Sequence, residues 1–85
     1  SPVVELNRAV AVSMAYGPDA GLELIDALGG EPLLSGYHLL PSVRGELLAR
    51  LGRDAEARAE LERAASLVRN GPERELLLER VAKLN

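Results

Sequence analysis

The sequence predicts an all-α fold of antiparallel helix hairpins, about five helices in all. Three observations predict it. No stretch alternates apolar and polar residues with a period of two, as a half-buried strand would. Gly and Pro divide the chain into five stretches whose apolar residues recur at helical spacing. A small–large–small pattern, Ala20-x-x-x-Leu24-x-x-Ala27, also returns as Ala57-x-x-x-Leu61-x-x-Ala64, 37 residues on.

The first helix spans residues 3–16 and is closed by Gly17-Pro18. Proline suits the first turn of a helix, where its missing N–H costs nothing, so the second helix begins at Pro18. It runs to residue 28, with Leu22, Leu24, Ile25 and Leu28 on its apolar face, and Gly29-Gly30 ends it. A loop over residues 30–36 contains Pro32. The third helix covers residues 37–51, with Pro41 in its first turn or at a kink, because an interior proline costs about 3 kcal/mol. Gly52 closes it.

Asp54 is placed to cap the fourth helix, residues 54–68. Asp54–Arg58 and Arg58–Glu62 stand at i,i+4 spacing on its exposed face, each pair worth about 0.2–0.5 kcal/mol. Asn70-Gly71-Pro72-Glu73 then forms a variant of the capping box. The last helix, residues 71–84, turns Leu76, Leu77, Val81 and Leu84 inward. Its outer face carries Glu73, Arg74, Glu75, Glu79, Arg80 and Lys83, so it reads as a solvated cap.

Composition narrows the functions open to such a fold. The 85 residues suffice for one domain, and only Tyr16 and Tyr37 are aromatic. The core must therefore come from helices packed closely through small residues. There is no cysteine, hence no disulfide, no thiolate metal site and no thiol nucleophile. No apolar run approaches the roughly 20 residues that span a bilayer, so the expectation is a cytoplasmic protein with no membrane partner. Residues 1–42 carry one cation, Arg8, against five acids, and the later cations are interleaved with acids. No surface is basic enough to hold a phosphate backbone directly.

The repeat has a physical reading. Small residues at both ends of the pattern let two helices approach, while the leucine fills the seam. On the second helix of each pair the pattern resembles the tetratricopeptide repeat, a family with units of about 34 residues. The longer offset is absorbed by the loop at 30–36. Gly45 falls where that family favours a small residue, and Pro32 fits the end of the first unit. The large aromatic expected early in each unit is missing, with Val4 and Pro41 near those places. The resemblance implies a right-handed superhelical stack: a first repeat over residues 3–28, a second over 37–68, and a closing helix over 71–84. The first helix is apolar nearly all round, interrupted by Glu5, Asn7, Arg8 and Ser13. Such a helix is buried on more than one side. Something upstream in a longer chain, or a second copy making a homodimer through this helix, is expected to cover it. The chain opens on Ser-Pro and reads as a fragment of something longer, or else as a processed product.

Four strings occur in order: Leu6-Asn7-Arg8-Ala9-Val10-Ala11-Val12; Gly36-Tyr37-His38-Leu39-Leu40; Arg50-Leu51-Gly52-Arg53 with Ala55 and Ala57; and Gly71-Pro72-Glu73-Arg74-x-x-Leu77. Together they resemble the C-terminal, tetratricopeptide-like extension of a bacterial extracytoplasmic-function sigma factor, a sigma-70-family subunit of RNA polymerase. The resemblance covers essentially the whole chain. It implies a regulatory domain in transcription initiation. Its partners would be the sigma regions of its own full-length chain or RNA polymerase, with DNA reached only through domains upstream. A stand-alone adaptor that binds a peptide in its concave groove is the alternative.

No catalytic set, cofactor site or metal site is expected. His38 is the one histidine, with no cysteine beside it and no nucleophile motif at Ser35 or Ser42, and it reads as a structural residue. Gly29-Gly30 lacks the strand that precedes a phosphate loop. The candidate interaction residues follow from the concave face that the resemblance implies: Glu5, Ala9, Val12 and Ser13 on the first helix, and Ser42, Glu46, Ala49 and Arg50 on the third. Asn7 and Arg8 join them, since polar residues in an apolar helix need partners. Those partners are either another protein or, within the domain, loop carbonyls or Glu46.

Overall fold

Each helix starts where the backbone can start one. In the computed structural model, which describes residues 1–84, α1 (Pro2–Tyr16) ends at Gly17. There φ is 108°, a conformation that only glycine takes without strain. α2 (Pro18–Ala27) begins on the next residue, with Pro18 in its first turn. One residue therefore joins the two helices, and they fold back on each other as a hairpin. α3 (Leu39–Arg50) and α4 (Asp54–Leu67) make a second hairpin through Gly52, φ 77°. α5 (Gly71–Ala82) follows and lies along α4. The molecule measures 28 × 28 × 18 Å, and 18 Å is the thickness of about two layers of helix.

Two glycines set the spacing inside the hairpins. A Cβ on Gly21 would stand 2.5 Å from the Ser13 Cβ and 3.0 Å from the Ala9 carbonyl oxygen. On Gly45 it would stand 2.7 Å from the Leu61 Cγ and 3.3 Å from the Ala57 carbonyl oxygen. Each hairpin thus closes on one Gly and one Ala, with their order exchanged: Ala9 and Gly21 in the first, Gly45 and Ala57 in the second. These positions are 36 residues apart, so the buried register differs by one from the 37-residue motif. The motif copies are not equivalent in space. Ala57, Leu61 and Ala64 are wholly buried, whereas Ala20 and Leu24 are half-buried and Ala27 is exposed. The face of α2 that packs inward is Gly21, Leu22 and Ile25.

The core joins the hairpins through Leu6 and Ala9 of α1, Leu22 and Ile25 of α2, and Leu40, Leu47 and Leu48 of α3. Leu34 completes it from a 3-10 turn, Pro32–Leu34, inside the segment expected to be only a loop. The Glu31 carboxylate accepts from the Leu33 N–H at 3.3 Å and starts that turn. α3 begins at Leu39 rather than at residue 37, which leaves Pro41 in the first turn and fully buried. Arg44 ties the hairpins together, with Nε 2.8 Å from Asp26 Oδ1 on α2 and Nη1 3.7 Å from Glu60 Oε1 on α4. Its hydrogen bond to Asp26 raises its pKa above the ordinary guanidinium value, helped by the nearby charges of Asp26, Glu60 and Glu56 and opposed by partial burial.

Three expectations about local polar contacts are corrected. Asp54 is the first residue of α4, and Arg53 holds the cap position without a side-chain cap. The i,i+4 pairs on Arg58 do not form among the described residues. Arg58 donates instead to the Leu84 carbonyl at 3.3 Å, while Arg53 pairs with Glu56 and Arg63 with Glu60. At α5 the Asn70 Oδ1 accepts from the Glu73 N–H at 3.1 Å as a cap should. The Glu73 carboxylate turns to His38 Nε2, 2.8 Å away, rather than back to the cap backbone.

α5 is also less finished than its pattern implies. None of its residues is buried. Leu76, expected to point inward, is 67% exposed, while Leu77, Val81 and Leu84 are half-buried. A helix resting on one neighbour can cover only one narrow stripe. Polar bonds supply the rest of its attachment. Arg80 grips Glu46 of α3 through two bonds of 2.8 and 3.3 Å, Arg74 donates to the Val68 carbonyl at 2.7 Å, and His38 meets Glu73. Glu73 and Arg80, expected on the outer face, therefore pair with α3 and its cap residue while staying partly exposed.

Two outcomes follow from this architecture. Replacing Gly21 by Ala should destabilise the chain by about 1–3 kcal/mol in urea unfolding, although alanine is the better helix former, because the methyl group drives the hairpin apart. Gly45→Ala should cost less in a Leu61→Ala background, which removes the Cγ that the new methyl group meets; no such relief should occur for Gly21→Ala. In hydrogen exchange, α5 amides should exchange about tenfold or more faster than those of α3. Raising salt to 1 M, where the screening length falls to about 3 Å, should widen that gap.

Candidate interaction surface

α1 and α3 lie near each other but touch only lightly, since the hairpin partners α2 and α4 take most of their packing. Between them is an open cleft of about 310 Å³. Val10, Ser13 and Met14 form one wall; Ser42, Val43, Glu46, Leu47 and Arg50 form the other. Each set is a single helical stripe, with neighbours three or four residues apart. Leu47 is buried at the base, whereas Met14 is 78% exposed at the rim. The volume is at the low end for a ligand cleft, so it suits inserted side chains better than a large cofactor.

The polar groups of the cleft differ in what they have left to offer. The Ser13 hydroxyl donates to the Val10 carbonyl at 2.6 Å, within its own helix. Glu46 is held by Nε and Nη2 of Arg80. Arg50 has no ion pair among the described residues, and it is exposed. The cleft is thus an apolar trough with one engaged carboxylate and one unengaged guanidinium a helical turn apart.

Four of the ten candidate residues meet here: Ser13, Ser42, Glu46 and Arg50. The others lie elsewhere. Ala9 is wholly buried against α2, and a partner could reach it only by opening the hairpin. Ala49 is half-buried against the core. Glu5 and Arg8 pair with each other at 3.2 Å on the solvent side of α1, so Arg8 reaches neither loop carbonyls nor Glu46. Asn7 is exposed beside them. Val12 is half-buried and two residues from Val10 and Met14, which puts it on the opposite flank of α1. Sequence reasoning missed Val10, Met14, Val43 and Leu47. Their signal was the second stripe on each helix, adjacent to the one that fills the core.

α1 buries only Leu6, Ala9 and Ser13, and it leaves Val3, Val4, Met14 and Tyr16 exposed. The contrast with a finished last helix does not hold, because α5 exposes Leu76 and Leu78. His38 occupies the cap position of α3, half-buried, with its ring centroid 5.9 Å from that of Tyr37 at an interplanar angle of 70° and Glu73 at hydrogen-bond distance. It joins α3 to α5. Among the described residues, no three His, Asp or Glu side chains are placed to hold a metal ion, and no helix is long and apolar enough to cross a membrane.

No family model matches the chain, and no solved structure matches it. Over 73 residues, 86% of its length, it is 51% identical to an uncharacterized protein of Rhizobium meliloti (strain 1021). The chain spans only 17% of that relative's length.

Proposed function

We propose that the chain is a regulatory protein-interaction module of a bacterial extracytoplasmic-function sigma factor, acting through contacts with its own sigma regions or with RNA polymerase. The observation that carries the interaction half is the α1–α3 cleft, an apolar trough edged by an unengaged arginine. Apolar surface with an arginine at its edge is the composition that protein interfaces favour.

The sigma half rests on the resemblance of the four ordered strings. Leu6 to Val12 spans the middle of α1, including the buried Leu6 and Ala9 and the cleft residue Val10. Gly36 to Leu40 leads into α3 and contains the link His38. Arg50 to Arg53 is the turn between α3 and α4, and Gly71 to Leu77 opens α5 at its polar attachment. Three of the strings thus fall where helices begin or turn, and the first lies within α1. The relative adds that a segment of this kind occurs within a much longer protein. A tetratricopeptide-like, right-handed stack is part of the proposal, supported by two hairpins closing on Ala and Gly pairs at matching positions.

Run-off transcription tests the reading. The full-length protein with core RNA polymerase should give promoter-dependent transcripts, and changing Arg50 to Glu within this segment should alter their yield by about threefold or more. A full-length protein that neither binds core polymerase nor directs transcription sinks the sigma assignment. The cleft would then serve a stand-alone adaptor.

A further inference from the structure

We infer that the α1–α3 cleft receives an acidic amphipathic helix, with apolar side chains seated between Met14 and Val43 and a carboxylate bound by Arg50. The inference rests on the interaction reading above but not on the sigma assignment.

Charge selects the sign of the occupant. Only Glu46 and Arg50 bring charge to the cleft. Arg80 already occupies both oxygens of Glu46 at 2.8 and 3.3 Å, so a basic segment would find its only carboxylate engaged and two guanidiniums nearby. Arg50 presents a planar fork of N–H donors with no carboxylate among the described residues. A carboxylate is the group that such a fork binds with two parallel hydrogen bonds. A nucleic-acid backbone needs a field of cations, which one arginine beside apolar walls does not supply.

Backbone chemistry selects the form. Both walls are helices whose amide and carbonyl groups are bonded internally, so the cleft offers no edge for an added strand. Of the two serines, Ser13 has already given its proton to Val10. An extended peptide would bring main-chain groups into the trough with almost nothing to bond. A helix brings its own partners. Its side-chain ridges fit the groove between two helices, as in ordinary helix packing.

The test uses the 85-residue chain and stapled fluorescent peptides of 12 residues, the length of α3. One peptide carries Leu at helical i, i+3, i+4 and i+7 positions flanked by Glu; the other replaces every Glu with Lys. Fluorescence polarisation should show the Glu peptide binding about tenfold or more tightly than the Lys peptide, and Arg50→Glu should reverse that order. Arg80→Ala should weaken the Glu peptide about threefold or more by exposing the charge of Glu46, and Glu46→Gln in the same chain should restore it. Should Arg80→Ala unfold the chain by circular dichroism, Glu46→Gln alone decides, because freeing Arg80 should tighten the Glu peptide. Equal binding of the two peptides, binding of neither, or indifference to Arg50→Glu overturns the inference. So does a dimer of the chain, seen by sedimentation, that closes the cleft against both peptides. Such failures leave polymerase binding unaffected, whereas loss of polymerase binding alone removes only the sigma assignment.

Discussion

The approach of helices at Gly21 and Gly45 is the constraint on which the rest of the structure depends. At each site a single methyl group would collide with its neighbour, and at Gly21 the neighbours are the Ala9 carbonyl and the Ser13 Cβ. Interaxial distance follows the side chains at the contact, so glycine opposite alanine brings two axes as near as packing permits. That nearness lets a core of Leu, Ile and Ala close without large aromatic rings. Ile25, Leu48 and Leu61 are among its largest fully buried side chains. Arg44 then fixes the second hairpin on the first by reaching Asp26 and Glu60 from one guanidinium.

The cleft is a consequence of that arrangement. α1 and α3 each use one stripe to pack inward, through Leu6 and Ala9 and through Leu40, Gly45 and Leu48. The adjoining stripes, Val10 to Met14 and Val43 to Arg50, are left facing each other with too little contact to close. An apolar trough left open in this way gains free energy from any matching surface that removes it from water. The single unengaged charge at its edge narrows which surfaces match.

Helix punctuation was legible in the sequence because Gly17-Pro18, Gly52 and Gly71-Pro72 act locally, through backbone dihedrals and a missing N–H. The repeat was legible only to within one residue. Identity of letters drew Ala20 and Leu24 into register with Ala57 and Leu61, yet burial follows space rather than letters, and Gly21 does the work of Ala57. Half of the cleft was found, since Ser42, Glu46 and Arg50 follow from helical spacing on α3. On α1 the candidates mixed three faces of one helix. An almost uniformly apolar helix has no strong pattern to say which face turns inward. Leu34 was missed for a different reason. A 3-10 turn of three residues has no period, and its place in the core comes from the chain reversal between the hairpins.

Long-range polar contacts were out of reach for the same physical reason, and α5 shows why this matters. Glu46 and Arg80 are 34 residues apart, and their own helices offer both of them nearer partners of opposite charge. An exposed pair at i,i+4 is worth little, so a bidentate grip across two helices displaces it. Because α5 buries no residue, its attachment draws mainly on these bonds and on a thin apolar stripe. The bond that fastens α5 is also the bond that occupies the cleft's carboxylate. The charge that this surface presents therefore depends on α5 as well as on its two walls.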